Sequence, residues 1–452
     1  MGKRYTATHQ PFRNECLLKS PFMIRLLLTI LAIATLLQAA VPIASAERAA
    51  KPNADRVNVA ATDWPWWRGP NRNGVAPADQ TPPLHWSETE NVLWRAAVPG
   101  RGHGSPTVVG NQVFLATCDE EREIQSVVCY DRKTGVLNWQ TEVHQGGIEK
   151  KENKKSSQAS ATVACDGERL FITFQNSKAI YVTALSRSGK RLWQKQVSGF
   201  VTHQGYGASP TVYKSLVIVS SDNKGGGAIA AFHRATGEIA WDHERPKLPN
   251  YTSPVILDVA GREQLLITGC DLVSSFDPLS GKPLWEVPGA TTECVTSTVT
   301  DGRLIFTSGG YPKNHLSAVL ADGSGTLVWE KSVRVYVPSL LARDGYLYAV
   351  IDEGVAMCWK SDTGEEQWKS RLGGAFTASP VLVGDMIFAT SEAGQTFIFK
   401  ANPKAFELVA ENQLGDETYA TPVICGSRIY LRTVSHPEGR RQEWLFSLAN
   451  KE

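Results

Sequence analysis

Nine side chains with ligand-contacting chemistry stand at one recurrent place in this 452-residue sequence. His103, His203 with Tyr206, Asn250 with Tyr251, Glu293, Tyr336, Phe376 and Tyr419 each fall shortly before a short apolar run, and Gln158 holds the same place in one further interval. Tyr and His offer flat contact area with polar tips, which suits the holding of a peptide or small molecule. Glu293 and Asn250 are the oxygen donors that could face calcium, but a hard cation takes six or more oxygens. These nine residues are the predicted binding rim. No residue is assigned a catalytic role and no metal site is expected. The sequence contains no Gly-x-Ser-x-Gly, no His-Glu-x-x-His, no phosphate-cradling Gly-x-x-x-x-Gly-Lys and no haem-attaching Cys-x-x-Cys-His.

Two recurring phrases set where those residues must lie. One opens each repeat: Ser105-Pro106-Thr107-Val108, Ser209-Pro210-Thr211-Val212, Ser253-Pro254-Val255-Ile256, Ser379-Pro380-Val381-Leu382 and Thr421-Pro422-Val423-Ile424. Each starts a β-branched run, followed by a polar turn and a second run of strand-forming residues. The other phrase is a Gly followed four residues later by Trp, as in Tyr130-Asp131-Arg132-Lys133-Thr134-Gly135 through Trp139. The Thr-Gly ending is turn chemistry, with Gly supplying positive φ. Trp94, Trp139, Trp193, Trp241, Trp285, Trp329 and Trp368 follow one another at 45, 54, 48, 44, 44 and 39 residues, and an eighth register at Ala410 has lost its Trp.

Repeats of that length, each with about four short strands, predict a β-propeller whose blades bury their faces only against one another. After Thr421 three strands follow, and the fourth is supplied by Val92–Val98 at the front of the folded region. The predicted fold is therefore all-β: an eight-bladed propeller of four-stranded antiparallel blades, closed by an N-terminal strand completing the C-terminal blade.

Three segments are expected. Residues 1–46 read as a signal peptide, with Met23 as an alternative start: Arg25, the apolar run Leu26–Leu37, Pro42 and Ala44-Ser45-Ala46 are what signal peptidase reads. An uncleaved anchor is the alternative. Residues 47–90 carry Trp64-Pro65-Trp66-Trp67-Arg68-Gly69-Pro70, too much apolar surface to leave in water, and are expected to dock on the propeller; a partner-binding arm is the alternative. Residues 91–452 form the propeller. Beyond residue 46 the chain holds 42 basic against 44 acidic residues. That balance gives no footprint for nucleic acid and, with the signal removed, no stable membrane insertion is expected. Seven cysteines remain there, in equivalent pairs such as Cys165 with Cys425 and Cys129 with Cys358, which suggests buried apolar slots; a Cys118–Cys129 bridge stays open. The mixed-charge run Glu149–Lys155 reads as a solvated insertion, and Asp222–Gly227 as a flexible connection.

The segment from Cys129 to Trp139 resembles the pyrroloquinoline quinone (PQQ) repeat of quinoprotein alcohol dehydrogenases and of the outer-membrane assembly factor BamB. The resemblance covers 91–452. The opening Trp-Pro-x-Trp-Arg-Gly-Pro is similar to that of exported PQQ-like propellers abundant in planctomycetes. By this resemblance the seven Trp residues dock adjacent blades. In the alcohol dehydrogenases adjacent cysteines and a calcium ion held by Glu, Asn and Asp serve the cofactor, and no two cysteines are adjacent here. The expectation is a monomeric, non-catalytic propeller of the periplasm or the secreted fraction, without cofactor, binding an envelope protein or a small molecule. The alternative is a PQQ- and calcium-dependent dehydrogenase with an atypical site.

Overall fold

The computed structural model describes residues 54–149, 153 and 155–451; the expected signal peptide, 1–46, lies outside them. Eight four-stranded antiparallel sheets account for all the strands of the described residues. Blades 1 to 7 each use four consecutive strands, from Thr107–Val109 through Leu137–Gln145 in blade 1 to Val381–Val383 through Leu408–Gln413 in blade 7. First strands of successive blades touch one another and so surround the axis. Blade 8 is made of Val423–Cys425, Arg428–Ser435 and Gln442–Leu448, with Val92–Val98 as its outermost strand. Trp94 stands opposite Ser447 and Ala97 opposite Trp444, so the ring is sealed by the two ends of the folded chain. A single turn of 3-10 helix, Pro437–Gly439, is the one helical piece among the described residues.

The Gly and the Trp of the repeat meet across blades. A β-bulge falls immediately beside the Trp-paired residue in the outer strand pair, between Cys129 and Tyr130 in blade 1 and between Cys358 and Trp359 in blade 6. Such a bulge re-aims the side chain, and the indole then lies over the turn glycine of the following blade. A Cβ on Gly135 would stand 2.6 Å from the Trp94 ring, on Gly237 2.6 Å from Trp193, on Gly281 2.4 Å from Trp241 and on Gly364 2.7 Å from Trp329. The indole N–H usually donates to a carbonyl of that same turn: Trp94 to Arg132 (3.1 Å), Trp193 to Arg234 (3.0 Å), Trp329 to Ser361 (2.8 Å). The glycine is thus required twice, for its φ of about +70° and for the absent side chain.

Gly281→Ala is accordingly expected to cost about 2–4 kcal/mol, left-handed strain plus collision with Trp241. Gly261→Ala, at φ +75° with nothing within 4 Å of the added carbon, carries the strain alone and is its control. Urea unfolding of both variants checks the difference; equal losses would mean the Trp contact is immaterial.

Where the Trp is lost at Ala410, the N-terminal segment supplies one. Ala410 pairs with Ile398 in the register that holds Trp elsewhere, and Trp86 enters the same core cluster. Asn412 fastens the two together, accepting the Trp86 amide N–H (2.9 Å) and donating to the Leu84 carbonyl (2.9 Å).

The rest of that segment runs over the ends of the innermost strands. Trp64 pairs antiparallel with Val108 of blade 1, and the Pro65 carbonyl accepts the Cys165 N–H of blade 2. Arg72 donates to Val212 of blade 3, Arg68 to Leu340 beside blade 6, and Ala76 to Leu382 of blade 7. Arg68 is buried with no carboxylate beside it among the described residues, and burial lowers its pKa to about 9.

The seven cysteines are buried and no disulfide joins them; Cys129 pairs with Phe114 and Cys118 with Gln125, at different rungs of one hairpin. Asp222–Gly227 connects two strands of blade 3 and is tied back by side chains. Asp222 is buried and ion-paired to Arg245 at 3.1 Å, and Asn223 bonds back to the Ser221 and Gly226 carbonyls.

Candidate functional site

The segments leading into the first strands converge at one end of the channel around a cavity of about 550 Å³. Of the nine predicted rim residues, the structure brings seven to its wall: His103, His203, Tyr206, Tyr251, Glu293, Tyr336 and Tyr419. The other two are corrections. Asn250 is buried within blade 4, its amide donating to Asp222 and to the Thr268 carbonyl at 2.9 Å each while its oxygen accepts the Cys294 N–H. Phe376 is 1% exposed and packs on Phe397, because an unrelieved apolar ring gains more in the blade core than at a wet rim. Gln158 likewise stays outside the cavity wall, its carbonyl and amide held by Gln125 and Glu149.

Glu293 is the deepest charge. It is 5% exposed, and its two oxygens lie 3.3 Å from His203 Nε2 and 3.4 Å from the Tyr336 hydroxyl, which donates to it. On the far side of His203, Lys224 Nζ stands 3.0 Å from Nδ1. An ammonium has no lone pair, so in that contact Lys224 donates and Nδ1 accepts. Burial and the Glu293 charge together push the phenols of Tyr251 and Tyr336 well above their ordinary range. His103 stacks on Tyr419 with centroids 4.4 Å apart. Tyr206 donates to the Ser220 carbonyl at 2.8 Å and so presents ring rather than hydroxyl.

Two features of this site escape the rim argument. The floor is Trp67, whose indole N–H donates to the Ser297 hydroxyl at 2.8 Å. Beneath the rim runs a belt of hydroxyls: Ser105, Ser209, Ser253, Ser379 and Thr421 from the Ser-Pro and Thr-Pro phrases, with Thr162, Ser297 and Ser339 at the same place in the other blades. The amide N–H of Ser105 donates to Thr162, Thr162 to Ser209 and Ser209 to Ser253; further round, Ser297 donates to Ser339, Ser339 to Ser379 and Ser379 to Thr421, all at 2.8–3.0 Å. Each bond joins neighbouring blades and contributes about 1 kcal/mol. The recurrence of Ser was the available signal for this belt. Lys155, expected in a solvated insertion, stands at the cavity wall and pairs with Glu392 at 2.8 Å; residues 150–152 and 154 of that run lie outside the described residues.

The repeat geometry has a counterpart in known families. A family model described as outer membrane protein assembly factor BamB matches residues 71–199, 124–311 and 312–402. The chain belongs to this family. A BamB from Burkholderia pseudomallei (strain K96243) is 26% identical over 356 residues, covering 75% of this chain and 85% of that protein. The solved BamB of Moraxella catarrhalis aligns with a TM-score of 0.55 at 15% identity, over 78% of this chain and 96% of its own. The quinohemoprotein alcohol dehydrogenase of Comamonas testosteroni aligns at 0.64 and 12% identity, over 88% and 84%, and shares the fold.

Calcium with PQQ, the pair associated with the dehydrogenase branch of this fold, meets a poor fit. Asn250 is spent inside blade 4, so Glu293 has no second oxygen ligand from it, and Cys270 and Cys294 are buried and not adjacent in sequence. Among the described residues no group of three or more His, Cys, Asp or Glu side chains is placed to hold a metal. Nor is any described helix long and apolar enough to cross a membrane.

Proposed function

We propose that this BamB-family propeller is an exported cell-envelope binding protein, working in the periplasm or outside the cell. It takes a protein or small-molecule ligand in its funnel and performs no catalysis. The supporting observation is the convergence of side chains from all eight blades on one cavity floored by Trp67. Recognition sites are concave, mostly apolar and carry a few placed polar groups, and this cavity has that make-up. Its polar groups are engaged with one another, Glu293 with His203 and Tyr336, rather than arranged as a nucleophile and its base.

Tagged protein incubated with envelope extract is expected to retain a defined partner or metabolite, and Tyr336→Ala and Tyr419→Ala are each expected to reduce that capture by about tenfold or more, as for central aromatic contacts. Unchanged capture by both variants would overturn the funnel as the binding site. Turnover of alcohols with PQQ, calcium and an artificial acceptor, lost in Glu293→Gln, would replace the reading by the dehydrogenase.

A further inference from the structure

Resting on the funnel reading above, we infer that the cavity selects a cation: an ammonium or guanidinium group held between the Glu293 carboxylate and the surrounding tyrosine and tryptophan rings. Glu293 is buried at the wall of the cavity, yet among the described residues no lysine or arginine nitrogen lies within 4 Å of it. The charges around it are otherwise satisfied. Lys155 pairs with Glu392 at 2.8 Å, and Arg334 lies 3.6 Å from Glu353 while its guanidinium covers one face of Tyr336. Lys224 is kept behind the His203 ring. A buried carboxylate is stabilised fully only by a charged, hydrogen-bonded partner; Glu293 accepts one long bond of 3.4 Å from the Tyr336 hydroxyl and lies 3.3 Å from a ring nitrogen of His203.

The remaining wall fits the same ligand. Trp67, Tyr251, Tyr311 and Tyr336 line the cavity with Glu293. Aromatic faces attract a desolvated cation and give an anion nothing, and a buried carboxylate repels an anion outright. Glu293 is therefore the recognition group for a positive charge, borne either by a Lys or Arg side chain of a partner or by a small amine.

Isothermal titration of the purified full chain with blocked lysine (N-acetyl-lysine methylamide), its norleucine isostere and the matching blocked glutamate tests this. The lysine probe is expected to bind at least about tenfold more tightly than norleucine, a difference of 1.4 kcal/mol, with no detectable binding of the glutamate probe. Comparison of blocked lysine with methylammonium separates the sources: tighter binding of the peptide-like probe assigns the cation to a polypeptide, equal binding to a free amine. Glu293→Gln should abolish the preference for lysine over norleucine. Equal affinity for lysine and norleucine, binding of the glutamate probe, or no heat from any cation up to about 10 mM, weaker than a specific small-ligand site, would each overturn the inference. Loss of partner capture in Tyr336→Ala with wild-type capture in Glu293→Gln would remove the cation and leave the funnel reading standing.

Discussion

A chain beginning at residue 99 is expected to lose its cooperative unfolding transition and to self-associate. Val92–Val98 is the outermost strand of blade 8, and through Trp94, Ala96 and Val98 it places three buried side chains in the core that joins blades 8 and 1. Their burial alone is worth on the order of 5 kcal/mol, comparable with the entire net stability of many domains. Deletion also strips Gln442–Leu448 of its outer partner and leaves an open sheet edge, the usual template for intermolecular pairing. It removes the Trp67 floor and the Trp86 that lies beside Ala410 as well. A peptide spanning residues 54–98 supplied in trans should restore part of the thermal transition. A truncated chain that remains monomeric in sedimentation and melts at the parent temperature would show that blade 8 does not need this strand.

Trp329→Ala is expected to cost about 3–5 kcal/mol, the range for removing a buried indole. Trp329 is 8% exposed, lies over Gly364 of the next blade and donates its N–H to the Ser361 carbonyl at 2.8 Å. Truncation opens a cavity between blades 5 and 6 and leaves that carbonyl without its donor. Trp241 occupies the same register over Gly281, but its indole N–H has no hydrogen-bond partner among the described residues. Trp241→Ala should therefore cost about 1 kcal/mol less, the net worth of one hydrogen bond. Urea denaturation with unchanged m-values reads both. Losses below about 1 kcal/mol, typical of surface positions, would mean that these indoles do not bind blade to blade.

The fold was legible because its information is local and repeated. Gly–Trp spacing, Ser-Pro openings and turn residues each specify one strand or reversal, and eight copies of one pattern leave a ring as the arrangement that buries every face. The missing fourth strand after Phe446 and the solitary strand at Trp94 were readable for the same reason: a count of elements exposes a vacancy. Residue identity sufficed at those places.

The candidate site was legible only in part. Position before a first strand put His103, His203, Tyr206, Tyr251, Glu293, Tyr336 and Tyr419 together, and the structure gathers them around one cavity. Position could not separate them from Asn250 and Phe376, since which way a loop side chain turns depends on neighbours from another blade: Asp222 and Cys294 for Asn250, Phe397 for Phe376. Trp67 as the floor, Trp86 beside Ala410 and the hydroxyl belt all pair residues from distant blades or from opposite ends of the chain, as in Trp67 with Ser297. The sequence by itself determined eight blades, their order and the strand that closes them, because backbone hydrogen bonding and apolar periodicity act between near neighbours. Tertiary structure alone decided which carboxylate faces the cavity and what covers its floor, because those outcomes follow from desolvation and packing between segments that meet only once the ring has formed.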